Sequence, residues 1–186
     1  MAGRRLSTTT TRLVNAALYQ AGWFTCVLGA AAGRDTVAAA AAAGLVAVHL
    51  ALSDAPRRDA AELAAALGVG LVAESAQIVL GSYERLGTAP PTWPPPIWLL
   101  VLWAQFATTF RAGLRPIMSR VGVAALFGAC GGPLAFLAGH ALGAVVLSRP
   151  LASTLAGLAA GWAMALALLS ALTRPGASMA ARYRRW

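Results

Sequence analysis

VGVAALFGACGGPLAFLAGHALGAVVL, residues 121–147, contains no aspartate, glutamate, lysine or arginine. About 20 mostly apolar residues suffice for a helix to cross the ~30 Å hydrocarbon core of a bilayer, and this run exceeds that length. Similar runs lie on both sides of it. One follows at 151–172, and four precede it near 13–32, 36–53, 63–83 and 97–113. These six runs and their short connections occupy most of the 186 residues, leaving no room for a soluble catalytic domain. The fold class read from them is all-α: a polytopic transmembrane bundle of about six helices, forming a single integral membrane domain over 1–186.

Composition agrees. Hydrophobic residues make up 59% of the chain and charged residues 11%, against roughly a quarter charged in soluble domains. So little polar surface could not cover that much apolar surface in water. The net charge of +9 comes from fifteen arginines and no lysine, placed between the apolar runs. That is not the basic stripe interleaved with aromatics that binds nucleic acid, so no nucleic-acid partner is expected. Cys26 and Cys130 both lie inside apolar runs and read as small packing residues.

Arginine also orients the chain. With the N-terminus inside, the inner segments carry twelve arginines, including Arg57, Arg58, Arg111, Arg115 and Arg120, and the outer loops carry three, Arg34, Arg85 and Arg149. The excess of basic residues in cytoplasmic segments then places both termini in the cytoplasm, and the expected location is a bacterial inner membrane. The tail Arg182–Trp186 suits an anionic headgroup layer.

Two interruptions stand out. Pro90-Pro91 and Pro94-Pro95-Pro96 bracket Trp93 in a stiff surface loop, and the series Trp93, Trp98, Trp103 reads as an interface anchor. In the fifth run, Pro133 removes a backbone donor beside Gly131 and Gly132, so that helix is expected to be kinked or broken there. Interrupted helices can present backbone groups to a ligand inside the membrane. Small residues recur at four-residue spacing at Gly22, Cys26 and Ala30, at Gly128 and Gly132, and at Gly157 and Gly161. Such spacing lets helix backbones approach closely.

Ionisable or strongly polar groups within a span are costly and call for a reason. Glu74 and Gln77 share a face of the third run, and Gln105 and Gln20 fall near the middle of the fourth and first. These four are read as one polar cluster near the midplane, a candidate substrate-binding site together with His140, Gly131, Gly132 and Pro133. His49 and His140 differ in depth by more than ~10 Å, too far for one metal ion with Glu74, and no metal site is expected. No nucleophile elbow, phosphate loop or zinc box is present, so no catalytic residue and no cofactor is assigned.

Three stretches together resemble a known family. They are Asn15-x4-Gln20-x-Gly22-Trp23-Phe24-x-Cys26-Val27, then Trp98-x4-Trp103-x2-Phe106-Ala107-Thr108-Thr109 after the proline-rich loop, and Gly131-Gly132-Pro133-Leu134-Ala135 with Ala138-Gly139. The chain from Leu13 to about Val146 is similar to an uncharacterised family of small bacterial inner-membrane proteins, domain of unknown function 2878. Relatives often carry an acidic residue where this chain has Glu74. The resemblance implies no established activity, only an association with enzymes that modify fatty acids or lipids. Three readings follow. The leading one is binding or transport of a lipid or small molecule through the polar site. The alternative is a non-catalytic accessory or scaffold for lipid-modifying enzymes. The third, an enzyme acting on acyl chains, lacks any supporting motif. The expected partners are membrane lipids, with a membrane protein or a second copy of the chain left open.

Overall fold

The computed structural model describes residues 8–85 and 93–174. Arg4, Arg5, the proline pair at 90–91 and the tail Arg182–Trp186 lie outside them. The elements in chain order are α1 (Thr8–Ala31), α2 (Asp35–Leu52), α3 (Pro56–Val79), β1 (Tyr83–Arg85), α4 (Ile97–Ala107), α5 (Arg115–Met118), α6 (Val121–Ala141), β2 (Val145–Leu147) and α7 (Leu151–Thr173). The fold is the helical bundle read from the apolar runs. By length and composition, α2, α3, α6, α7 and residues 12–31 of α1 can each cross a membrane, and α4 is a shorter apolar helix.

Several boundaries depart from the sequence reading. α3 starts at Pro56 rather than near 63. Proline is favoured in a first helical turn, where its missing N–H costs nothing. Asp59 complements that turn's positive end, and Arg58 pairs with Glu62 at 3.1 Å one turn on. The hydrophobicity pattern hides this polar first turn. At the other end α3 stops at Val79, and residues 83–85 form a strand. α4 stops at Ala107 rather than 113. There the hydroxyls of Thr108 and Thr109 donate to the carbonyls of Gln105 and Phe106, a local bond that competes with helix continuation. α6 ends at Ala141, and Gly143 turns the chain with φ 81°. The Val-Val-Leu that follows pairs antiparallel with β1, Tyr83 opposite Leu147 and Arg85 opposite Val145. The run 121–147 is therefore a helix plus a strand.

The helix is not broken at Pro133. α6 runs through it without interruption. In a bundle, neighbouring elements compensate the one lost backbone bond. Here Gly128 and Gly132 lie directly against Trp162 of α7, so a side chain at either would overlap that residue.

Two links fix the ends of the bundle. At one end the β1–β2 ladder ties the exits of α3 and α6 together. At the other, Arg111 donates to Asp59 at 2.6 Å and to Asp54 at 3.0 Å, joining the segment after α4 to the α2–α3 corner. Asp59 also accepts from Ser53 and lies 3.3 Å from His49. The chain therefore returns between the two ends on each pass, α4 included. α6 packs on α7, α1 on α2 and α4, and α3 on α4 and α7.

Candidate functional site

Glu74 is fully buried, with 0% of its surface exposed. It lies in the last third of α3, toward the ladder end. Its two carboxylate oxygens accept from different elements: Oε1 from the Trp103 indole N–H at 2.9 Å and Oε2 from the Tyr83 hydroxyl at 2.9 Å. Trp103 stacks on Trp162, with ring centroids 4.4 Å apart and planes at 19°. Tyr83 packs on Phe136 of α6 at 4.9 Å. Glu74 thus holds two aromatic rings in place, and it lies on the border of the small cavity beside them with both carboxylate oxygens already hydrogen-bonded.

The other residues of the expected cluster have separate partners. Gln77 donates to the Gly157 carbonyl of α7 at 3.1 Å and accepts from Ser82 at 2.6 Å. Gln105 donates to the Ala42 carbonyl of α2 at 3.0 Å and lies against Gly22, where any side chain would collide with it. Gln20 is exposed on α1 and shares none of these bonds. The single cluster is therefore replaced by three interhelical clamps and an outward-facing glutamine. His140 is also exposed, its Nδ1 3.1 Å from the Val145 carbonyl, apart from the buried amides. Trp98 and Trp103, read as interface anchors, are core residues, while Trp93 is exposed.

Where the structure opens is a cleft between α1 and α6, floored by α4. Asn15, Tyr19, Trp23 and Val27 recur every four residues on α1 and line it as one stripe. Gly128, Gly131, Gly132 and Ala135 of α6 line the opposite wall. Phe106 and Trp162 border its whole length. α1 and α6 barely meet, so the cleft faces sideways. It tapers: the part nearer the ladder has a volume of about 50 Å³, and the part bordered by Asn15, Thr109 and Leu114 about 240 Å³. At the narrow end Val27 and Val145 line the cleft and pack with Cys26 and Ala144 in one apolar cluster.

Of the residues expected at a site, Glu74, Gly131 and Gly132 line this cleft, and sequence reasoning missed most of the rest of its wall. The signals were present: an aromatic and amide stripe at four-residue spacing on α1, and a lone tryptophan, Trp162, in a span of small and aliphatic residues. The Trp162 indole N–H is buried without a hydrogen-bond partner, as is Oε1 of Gln105. Among the described residues, no three histidines, cysteines or acidic residues come together in a group able to hold a metal ion.

Fold and cleft together define a multi-pass helical membrane protein with a lateral aromatic groove. The chain belongs to the family described as "Protein of unknown function (DUF2878)", whose model matches residues 12–168. No curated protein and no solved structure matches it.

Proposed function

We propose that this protein binds a membrane lipid or similar apolar molecule in the cleft between α1 and α6, in a bacterial inner membrane with both termini in the cytoplasm. One observation carries the reading. The cleft is lined mainly by apolar and aromatic residues and opens sideways between two helices, α1 and α6, that barely meet. Pockets of this composition, with a few polar groups, are those that take small molecules. The twelve-to-three arginine distribution supports the orientation.

Gly131 supplies the test. It lines the wide part of the cleft, and a side chain there would meet nothing within 4 Å. Gly131→Leu should fill the cleft without disturbing the helices. Native mass spectrometry of protein released gently from membranes should show a retained molecule on the wild type and none on Gly131→Leu. Equal occupancy of the two would overturn the reading.

A further inference from the structure

We infer that the occupant is an anionic bilayer phospholipid, held with one acyl chain in the cleft and its phosphate at the arginine end; this rests on the cleft being a binding site at all. Length and direction fit a single acyl chain. The lining stripe from Asn15 to Val27 covers roughly 18 Å of α1 at 1.5 Å per residue. The acyl chains of one leaflet fill about half of a ~30 Å core, so a single chain lying along the helices matches the groove.

The taper gives the chain a direction. The ladder end is the smaller part and, apart from Glu74 whose oxygens are both hydrogen-bonded, is lined by apolar and aromatic residues, and the wide end is bordered by Asn15, Thr109 and Leu114. A chain terminus suits the first, and the start of a polar headgroup suits the second.

Charge selects the headgroup. Arg12 precedes Asn15 and Ala16 by three and four residues, on the same face of α1. Arg115 follows Leu114 directly, and Arg120 opens α6. All three are exposed. None forms an ion pair among the described residues, whereas Arg111 nearby is committed to Asp54 and Asp59. The wide mouth therefore has uncompensated guanidinium groups beside it, suited to phosphate oxygens. A zwitterionic lipid would bring an ammonium group toward the same positive field, which favours a headgroup with net negative charge.

The experiment uses the full-length protein in nanodiscs made from equal amounts of phosphatidylglycerol and phosphatidylcholine of the same chain length. After ejection into the mass spectrometer, retained lipids are counted for wild type, Arg12→Gln with Arg115→Gln, and Gly131→Leu. The wild type should hold phosphatidylglycerol in excess. The double arginine variant should keep a lipid but lose the preference, by about fivefold per arginine removed. Gly131→Leu should hold neither lipid. Retained lipid in bilayer proportions on the wild type would overturn the anionic headgroup while leaving the cleft reading intact. Equal retention by wild type and Gly131→Leu would overturn both.

Discussion

Glu74 illustrates how a buried acid can be structural in its contacts and still shape the wall of a cleft. Both its oxygens accept from neutral donors, and those donors are rings that stand against the groove and its rear wall. Trp103→Phe keeps a ring in place but leaves Oε1 without a donor. A buried acceptor left unmade costs about 1–3 kcal/mol, more when charged, so thermal unfolding in detergent should shift down by a corresponding amount. In a Glu74→Leu background the same tryptophan change should cost markedly less. If the two effects simply add, the bond does not hold the ring. Neighbouring glycines offer a second contrast of sign. Gly132→Ala forces a methyl into the Trp162 ring and should destabilise by about 1–3 kcal/mol, the range for overpacking. Gly131→Ala meets open space and replaces a helical glycine, so it should gain up to ~1 kcal/mol. Thermal melts of the two adjacent variants check this, and equal shifts would contradict the assigned packing.

At the scale of the elements, hydrophobic runs locate helices well because lipid imposes one requirement on every span. They locate helix ends poorly. The end of α3 at Val79 and of α6 at Ala141 are set by Gly81 and Gly143, both with positive φ. Such glycines also occur harmlessly inside the helices, as Gly68 and Gly122 do. The strand residues Tyr83 and Val145 are apolar and so continued the runs before them, and only their pairing with each other reveals the ladder. For the same reason the amides were legible as buried polar groups but not as separate clamps. Which helices adjoin is a tertiary fact, and Gln105 meets Ala42 only because α2 packs on α4. The ladder itself is open to a direct check. Glu84 and Val146 are opposite one another in the register. In a background lacking Cys26 and Cys130, Glu84→Cys with Val146→Cys should form an intramolecular disulfide under mild oxidation, whereas Glu84→Cys with Arg149→Cys should crosslink much less. The reverse preference would mean a shifted register.

At the scale of the whole molecule, the unusual pass is the fourth. α4 has eleven residues, about 16 Å of helix at 1.5 Å each, or roughly half the hydrocarbon thickness. The crossing is completed by the turns at 108–114 and the single turn of α5. Irregular backbone at such a depth is tolerated where its polar groups are satisfied. Here the amides of Thr108, Thr109 and Phe110 bond back three residues, and Asn15 of α1 donates to the Thr108 carbonyl at 3.1 Å. Because the helix stops early, the segment after it contributes only the small or short side chains of Thr109, Gly113 and Leu114 to the border of the cleft. That is where the groove is widest, so the short pass and the cleft are one feature of the architecture. It also makes the topology a sharp test. If the segment 97–120 crosses despite its short helix, Arg34 and Arg149 lie at the ladder end and Arg57 and Arg120 at the other. With these four replaced singly by cysteine in the cysteine-free background, a membrane-impermeant maleimide added to intact cells should label the first two. The second two should react only after permeabilisation. If Arg120→Cys labelled from outside while Arg57→Cys did not, the fourth pass would be re-entrant, and the arginine end of the cleft would no longer lie at a cytoplasmic headgroup layer.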